Sequence, residues 1–412
     1  MYDCYLYSSP PPVLTPSPPF LATTHIHSLH LCPSATIFTT LPFCRRATTE
    51  FSKKTMPMSF ITVSRVDGSK AQETLTSSCI DLISSALGGR VLEFSDEWFA
   101  AAENLINPAP PIHKPGVFVP AGAWYDGWET RRHNKAPADW VVIKLGVSSG
   151  KVHGFEVDTA FFNGNHAPAV TVEGAFLHCG YPDATTVWEE ILPMQKCGPS
   201  QRHIWKLSSP TTKAYSHVRL NMFPDGGIAR FRLFGTAVPV FPDNPDTIID
   251  LAHVSSGGLA ISCSGQHFGT KKDNLLLPGR GKDAGNGWET KRSREPGHVD
   301  WVVVKLVCAA KGAPGYIEEV VVDTLHFRGN YPQAVEIYAI NSSEQHVTSD
   351  ANGWELIVPK HPCEADKEHT FPSALLQNVH GKVATHVKMV IIPDGGVKRL
   401  RVFGKRAALA GN

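Results

Sequence analysis

The sequence predicts an all-β protein made of two tandem jelly-roll sandwich domains with a few short helices. Three observations support this fold class. The 412-residue chain repeats four sequence blocks in the same order, its apolar runs are short and rich in Val, Ile and Phe, and Gly, Pro, Asn or Asp bounds each run. Short bounded runs are typical of strands. A repeat of domain length indicates two similar folds, each able to bury its own core.

The repeated blocks define the two copies. They carry, in order, a Gly-Trp-Glu-Thr motif, an Asp-Trp-Val-Val run, a Val-Asp-Thr turn and a Pro-Asp-Gly-Gly turn. The blocks are 126–132, 139–145, 157–165 and 217–235 in the first copy, and 286–292, 300–306, 322–330 and 386–404 in the second. We therefore predict a first repeat over 65–237, a Pro-rich linker over 238–248 and a second repeat over 249–406.

Residues 1–57 precede the first repeat and are expected to lie outside the fold. This leader is rich in Pro, Ser and Thr and nearly free of acidic residues, so it cannot form a large apolar face. It is either a weak organellar signal or the product of a translation start upstream of Met56. His25, His27 and His30 have a spacing that could bind a metal ion, but a solvated tail is the favoured interpretation.

Helices and strands in the first repeat follow from periodicity. Residues 75–87 have an apolar stripe at helical spacing, and Ser95 or Asp96 could cap a short helix over 97–105. The runs of strand type, which have counterparts in the second copy, are 140–145, 154–158, 170–172, 218–223 and 228–234.

The last of these runs alternates as a half-buried strand does. Phe231 and Leu233 are expected to face the core, with Arg230 and Arg232 on the other face. The Pro-Asp-Gly-Gly turn before it is expected to form a tight hairpin, because its Asp-Gly pair supplies a positive φ.

Composition excludes several partners. A net charge of +1 creates no field that would gather nucleic acid, and no apolar run approaches the roughly 18 residues of a membrane span. The nine cysteines include no CxxC pair and no positions that match between the copies, so we expect reduced thiols in a cytosolic compartment. A homo-oligomer is left open.

Charged residues beside the Gly-Trp-Glu-Thr motif are the first candidates for a site. Trp128 and Trp288 are expected to be buried anchors. Glu129, Arg131 and Arg132 follow the first anchor in a loop, where pinned cations can bind a small anion. The alternative is a surface ion pair, and the sequence does not decide between the two.

Asp158 and Asp323 each follow an apolar strand and are expected to be partly buried. Such a carboxylate either holds a loop through backbone N–H groups or has a raised pKa and serves as a general acid or base. The adjoining loop differs between copies, because Asn163 and His166 are replaced by Arg328 and Tyr331. Asp139, Asp225 and His217, with their counterparts Asp300, Asp394 and His386, are interpreted as structural.

With these blocks in view, the chain resembles the allantoicase family over roughly residues 65–406. The resemblance rests on the motifs at 126–132, 139–146 and 157–165 and on the paired Pro-Asp-Gly-Gly turns. It implies two jelly-roll domains related to galactose-binding and discoidin-like modules. It also implies hydrolysis of allantoate to ureidoglycolate and urea in purine and allantoin catabolism.

The substrate that the resemblance implies is a carboxylate whose central carbon bears two ureido groups. Such a substrate requires a cation, polar groups for the ureido arms, and an acid and a base. We expect Arg131, Arg132 or Arg219 to hold the carboxylate, Glu129 and Asp158 to transfer protons, and Asn165 and His166 to orient a ureido arm. The second copy's residues, which either duplicate or complete the site, are Glu289, Arg292, Asp323 and Asn330.

Two questions stay open at this point. No spacing requires a metal cofactor, although carboxylates together with His could hold Mn²⁺. The alternative function is a non-catalytic tandem carbohydrate-binding protein, since the fold alone does not separate the two. Unpaired cysteines favour the enzyme, because glycan binders outside the cell usually carry disulfides.

Overall fold

The computed structural model describes residues 61–178, 180–306 and 315–407. The leader, with His25, His27 and His30, lies outside the described residues. None of the helices within these ranges has the length and the apolar composition that crossing a membrane requires. The described chain is built almost entirely from short antiparallel strands joined by turns and single-turn helices.

The first repeat contains two five-stranded antiparallel sheets that pack face to face, with a short strand pair at one end. Its strands are β1 (Val63–Val66), β2 (Ile80–Asp81), β3 (Arg90–Phe94), β4 (Phe118–Val119), β5 (Gly122–Ala123), β6 (Trp128–Glu129), β7 (Asp139–Lys144), β8 (Gly150–Asp158), β9 (Ala169–Ala175), β10 (Glu189–Lys196), β11 (Arg202–Leu207), β12 (His217–Phe223), β13 (Gly227–Ile228) and β14 (Arg230–Ala237). The strand orders are β1-β11-β8-β14-β2 and β10-β9-β12-β7-β3, and β6 pairs with β13.

The described part of the second repeat has the same topology without counterparts of β1 and of the paired short strands β4 and β5. Its strands are β15 (Ile249–Asp250), β16 (Leu259–Cys263), β17 (Trp288–Glu289), β18 (Asp300–Lys305), β19 (Gly315–Asp323), β20 (Ala334–Ile340), β21 (Glu355–Pro362), β22 (Glu368–Pro372), β23 (His386–Ile392), β24 (Gly396–Val397) and β25 (Arg399–Arg406). The orders are β15-β25-β19-β22 and β16-β18-β23-β20-β21, with β17 paired to β24. The predicted pair of jelly-roll sandwiches is confirmed.

The short helices lie in the connections between strands. One π-helical turn spans Gln72–Thr76, and the 3₁₀ helices are Gly68–Lys70, Ala102–Ile106, Val254–Ser256, Lys272–Leu276, Ala284–Asn286 and Ser373–Leu375. Apolar side chains from both sheets of each repeat fill the space between them. Trp128 and Trp288 are fully buried, as predicted, and each indole N–H donates to a backbone carbonyl, that of Asp96 or Gly265.

The two helix predictions for the first repeat are wrong, although the apolar stripe at 75–87 is buried. Residues 77–87 form turns around β2, because the Asp81 carboxylate accepts the N–H of Leu233 and Leu82 N–H donates to the Leu233 carbonyl. Those long-range bonds hold the backbone on a sheet instead of in a helix. The second predicted helix, over 97–105, is a 3₁₀ turn over Ala102–Ile106, whose first N–H donates to the Glu97 carboxylate.

Other local predictions need correction. The Pro-Asp-Gly-Gly turn has the expected positive φ at Gly226, 139°, but it does not close a hairpin. It crosses from one sheet to the other, since β12 pairs with β7 and β9 whereas β13 pairs with β6. The outer face of β14 is also covered, because Arg230 is 1% exposed and its guanidinium pairs with Asp126 at 2.8 Å.

One cysteine position does match between the copies. Cys197 N–H donates to the Pro168 carbonyl at the end of β10, and Cys363 N–H donates to the Gln333 carbonyl at the end of β21, at 2.9 Å in both repeats. The two segments are not obviously similar in sequence, because they share only Trp-Glu, Ile, Pro and Cys at fixed spacing. The four cysteines in the described part of the chain, Cys79, Cys197, Cys263 and Cys363, are free thiols.

Candidate active site

The short strand β6 places Glu129 at one end of the first sandwich, which we call the rim. Its neighbour Trp128 is locked in the core, and Glu129 pairs with Gly227 of β13, so the position of its backbone is fixed from both sides. Glu129 is 5% exposed, and Asn165 Nδ2 donates to its Oε1 at 2.6 Å. Burial raises the pKa of Glu129, while the Asn165 hydrogen bond and the charge of Arg132 act in the opposite direction.

Arg132 lies beside this carboxyl group and is held on two sides. Its Nε is 2.8 Å from Asp225 Oδ1, and its NH1 donates to the Gly164 carbonyl at 3.1 Å. Asp225 is buried and also accepts the backbone N–H of His133 at 2.7 Å. The Arg132 side chain is 42% exposed, so a fixed guanidinium with unused N–H groups faces solvent at the rim.

The second repeat builds a similar arrangement from matching residues, although among the described residues no ion pair joins Arg292 to Asp394 as Arg132 is joined to Asp225. Asn330 Nδ2 donates to Glu289 Oε1 at 2.5 Å, and Arg292 NH2 lies 3.4 Å from the Gly329 carbonyl. Asp394 accepts the backbone N–H of Ser293 at 2.7 Å, as Asp225 accepts that of His133. Glu289 is less enclosed than Glu129, because its residue is only half-buried.

Asp158 lies near the rim, at the end of β8, but its contacts are separate from those of Glu129. Its Oδ1 accepts the N–H of Ala160 at 2.8 Å. Burial raises the pKa of Asp158, the charge of Glu156 raises it further, and the charges of Arg202 and Arg230 lower it. No hydrogen bond in the described residues joins Asp158 to Glu129, so the two predicted proton-transfer groups do not form a pair.

Asp323 has a different environment from Asp158 although it occupies the matching position. Arg280 grips its carboxylate with two hydrogen bonds of 2.7 and 2.8 Å, and Leu325 N–H donates to it at 2.9 Å. The buried Lys398 and Arg399 lie immediately beyond, and the pKa of Lys398 is lowered to about 8, mainly by burial. Asp323 is therefore the centre of a cationic cluster.

Arg131 and Arg132 are adjacent in sequence but contact different residues. Arg131 lies over the Trp98 ring, with Cζ 4.1 Å from the ring centroid, and its backbone N–H donates to Asp96 Oδ2 at 2.7 Å. Of the two predicted cations, only Arg132 joins Glu129 and Asn165.

Arg219 and His166 occupy two further places. Arg219 is on the outer face of β12, where Nε donates to Glu173 at 2.7 Å and the guanidinium lies over Trp188. His166 is next to Asn165 at the rim, and its Nδ1 is 3.2 Å from the Asn163 carbonyl. The structure thus brings His166 to the rim and places Arg219 on a sheet face.

The rim has two components that were not predicted from the sequence. Asp225 was interpreted as a turn residue only, although its recurrence as Asp394 was a signal for a further role. The second component is an insertion: Asn104 donates to the Gly127 carbonyl 23 residues away, whereas Asn274 donates to Gly287 only 13 residues away. Within the insertion, His113 stacks on Phe161 at 5.1 Å and Tyr125 on Phe162 at 4.9 Å. The first rim therefore has an additional wall.

The rim residues do not suit a metal cation. The positive charge of the Arg132 guanidinium acts on Glu129, and one carboxylate oxygen of Glu129 already accepts an N–H from the Asn165 amide. In the described part of the chain, no group of three or more His, Cys, Asp or Glu side chains is placed to hold a metal ion. A buried carboxyl, an amide and a pinned guanidinium are instead suited to binding an anion and moving a proton.

Comparison with known proteins identifies a family that the chain resembles over both repeats. The sequence model of the allantoicase repeat matches residues 80–238 and again 249–407. An allantoicase from Neurospora crassa is 60% identical over 353 residues, which are 84% of this chain and 97% of that protein. An allantoicase from Saccharomyces cerevisiae is 50% identical over 330 residues, 79% of this chain and 93% of the relative. The crystal structure of a Saccharomyces cerevisiae allantoicase matches with a TM-score of 0.71 and 44% identity, covering 83% of this chain and 100% of that one.

Proposed function

The chain belongs to the allantoicase family, and from this premise we propose that the rim of the first repeat carries out the family's reaction. The chain is an enzyme, a hydrolase that converts allantoate to ureidoglycolate and urea. The alternative of a non-catalytic carbohydrate-binding protein does not describe these relatives. One observation carries the mechanistic proposal: a buried carboxyl group, that of Glu129, lies beside an amide and a pinned guanidinium.

Arg132 binds the substrate carboxylate in this proposal. Asp225 and the Gly164 carbonyl use two of the five guanidinium N–H groups and fix the direction of the rest. Little side-chain entropy is then lost when the remaining donors bind an anion. Charge-assisted bonds of this kind are short and directional, so they also orient the central carbon of the substrate.

Asn165 and His166 orient a ureido arm. Asn165 uses its N–H₂ group on Glu129, and its carbonyl oxygen has no hydrogen-bond partner among the described residues. That oxygen can accept a ureido N–H. Because the same amide contacts Glu129, the bound arm is brought next to the carboxyl group.

Glu129 transfers the protons. It donates a proton to the nitrogen of the departing ureido group while the lone pair of the other ureido nitrogen forms a C=N bond to the central carbon. The C–N bond to the protonated arm breaks and urea leaves. The Glu129 carboxylate then takes a proton from water as the water oxygen bonds to that carbon and the electron pair of the C=N bond returns to nitrogen. The oxygen becomes the hydroxyl of ureidoglycolate and Glu129 is protonated again, so one carboxyl group completes the cycle. A pKa raised by burial suits a group that must begin protonated.

The first repeat is preferred over the second because its glutamate is more enclosed. A buried carboxyl group is better suited to proton transfer than an exposed one, and Glu129 is buried whereas Glu289 is only half-buried. In this proposal Glu289, Asn330 and Arg292 duplicate the binding geometry without carrying the main chemistry. Asp158 and Asp323 remain predictions as catalytic groups.

The test compares Glu129→Gln with the matched variant Glu289→Gln. We expect Glu129→Gln to lower kcat by about 10²-fold or more, the usual contribution of general acid–base catalysis. Glu289→Gln should stay within about threefold, and urea release from allantoate measures both rates. The reverse ranking would move the chemistry to the second repeat, and equal small losses would remove both glutamates from it.

We make separate proposals about metal dependence, about the oligomeric state and about the cellular compartment. Since the rim residues do not suit a cation, we expect activity to survive chelation, and elemental analysis of active protein would check this. A homo-oligomer remains a prediction for sedimentation to test. A cytosolic location rests on the four free thiols, and imaging of the full chain beside a chain starting at Met56 would test it.

A further inference from the structure

The end of the second sandwich opposite the rim contains a cleft of 280 Å³. Apolar side chains line one part of it, among them Ile317, Ala339 and Ala384. A polar edge is formed by Glu355 and Lys382, whose carboxylate and ammonium groups are 2.5 Å apart. The cleft therefore combines an apolar floor with an ion pair, and it is far from the residues of the proposed reaction.

The first repeat fills the same place with its own side chain. Tyr215 bridges to Gly150 as Ala384 bridges to Gly315, and a matching serine or threonine and histidine follow in each repeat. Tyr215 is 6% exposed, and its hydroxyl donates to Glu189 Oε2 at 3.1 Å. Glu189 in turn pairs with Lys213, as Glu355 pairs with Lys382. The ion pair is common to both repeats, but the phenol ring is present only in the first.

The residue beneath the ring confirms that the two places correspond. A Cβ added at Gly174 would lie 2.7 Å from the Tyr215 ring, so the ring rests directly on that glycine. The matching residue of the second repeat is Ala339, since Gly174 pairs with Val218 and Ala339 pairs with Val387. Replacement of Tyr by Ala384 removes the ring, and replacement of Gly by Ala339 leaves the floor apolar.

We propose that the cleft of the second repeat binds a small planar ring of about the size of phenol that carries one O–H or N–H donor. The ring lies between Ala339 and Ala384, and its donor bonds to the Glu355 carboxylate. An apolar cavity of roughly 150 Å³ is enough to admit a benzene ring, so the space is sufficient. Tyr215 shows within the same chain that the matching glutamate of the first repeat, Glu189, accepts a hydroxyl from a ring in the corresponding position.

The test uses p-cresol, which is the side chain of tyrosine, and toluene, which lacks the hydroxyl group. We expect wild-type protein to bind p-cresol saturably in a calorimetric titration and to prefer it over toluene by about tenfold, the effect of one hydrogen bond of ~1.4 kcal/mol. The variant Ala339→Gly/Ala384→Tyr copies the first repeat and should lose binding by at least about tenfold. Its hydrolysis of allantoate should equal that of wild type, which reports on its folding.

Two further variants keep the test decisive. Glu355→Gln should reduce the preference for p-cresol over toluene. This measurement is valid even if the Ala339→Gly/Ala384→Tyr variant does not fold. Tyr215→Ala should open a second site of the same kind and double the bound p-cresol at saturation. Absence of saturable binding to wild type, or equal binding by the Ala339→Gly/Ala384→Tyr variant, would overturn the proposal.

Discussion

The two rims agree around their glutamates and differ around their aspartates. Glu129 and Glu289 each bind an asparagine N–H₂ group beside an arginine. Asp158 lies close to the charge of Glu156, and no cation among the described residues is hydrogen-bonded to it, because Arg202 binds Glu156. Asp323 is instead gripped by Arg280.

The difference has a simple basis in sequence. Pro110 and Ala229 stand where the second repeat has Arg280 and Lys398, as the matching bonds of Arg230 and Arg399 to these segments show. The arrangement around the glutamate is the same type in both repeats, although the repeats have diverged. The charged residues that surround the buried aspartate differ between the two repeats. A feature that recurs under such divergence is the better candidate for binding and chemistry, and the predictions below test this comparison.

The largest effect is expected at the arginines of the shared arrangement. Arg132→Ala should lower kcat/KM for allantoate by roughly 10²-fold, since a charge-assisted pair of hydrogen bonds to the carboxylate is lost. Arg292→Ala should change it less than about tenfold. Steady-state kinetics measure both, and thermal unfolding controls for loss of fold. A larger effect of Arg292→Ala would contradict the preference for the first repeat.

The second prediction concerns the stability of the second repeat. Asp323→Asn removes the charge that Arg280, Lys398 and Arg399 share, and leaves buried cations uncompensated. We expect a loss of ~2 kcal/mol in the free energy of unfolding at pH 7, a reduced value for a buried pair because Arg280 is partly exposed. Urea unfolding measures it. The control is Arg328→Ala, which breaks an exposed pair with Asp366 and should leave the unfolding midpoint unchanged within error.

The third prediction is a gain of stability at the matching aspartate of the first repeat. Burial raises the pKa of Asp158 in the folded state, so the contribution of this group to stability is complete below its unfolded pKa and is lost as pH rises through the folded pKa. Asp158→Asn keeps an acceptor for Ala160 N–H and removes the charge. We expect the variant to be more stable than wild type by ~1 kcal/mol at pH 7, with the gain disappearing as pH falls below about 4.

The activity of this same variant tests the role predicted from sequence. Because no hydrogen bond among the described residues joins Asp158 to Glu129, we expect kcat to fall by less than about tenfold. A loss of about 10²-fold at unchanged stability would return Asp158 to the mechanism as a second proton-transfer group.

The sequence predicted those features that depend on local pattern. The four repeated blocks predicted two similar domains, and the period-two runs predicted the strands, because both signals are carried by neighbouring residues. Helix predictions failed at 75–87 because bonds from Asp81 and Leu82 to Leu233, about 150 residues away, decide the local conformation. An apolar stripe indicates burial in either case, so it could not distinguish a helix from turns packed on a sheet.

The rim was predicted only in part for the same reason. Glu129, Arg132 and Asn165 were among the predicted site residues, but the prediction also placed Arg131, Asp158, His166 and Arg219 with them. Asp225 was not assigned to it, because its contact with Arg132 joins residues that are distant in sequence. The different positions of the Arg131 and Arg132 side chains also depend on tertiary contacts. Trp98 and Asp96 hold Arg131, and Asp225 holds Arg132.

The smallest effect is expected at Arg219, a predicted substrate-binding residue that the structure places on a sheet face. Arg219 pairs with Glu173 and lies over Trp188, and the second repeat keeps a cation at this position, since Lys388 lies over Trp354. We expect Arg219→Ala and Lys388→Ala each to lower the free energy of unfolding by less than ~1 kcal/mol and to leave kcat/KM within about twofold. These outcomes would identify the paired cations as part of the sheet surface common to both repeats. A tenfold loss of kcat/KM in Arg219→Ala alone, at unchanged stability, would instead make the outer face of the first repeat a substrate surface, and the difference between the repeats would then extend beyond the rim.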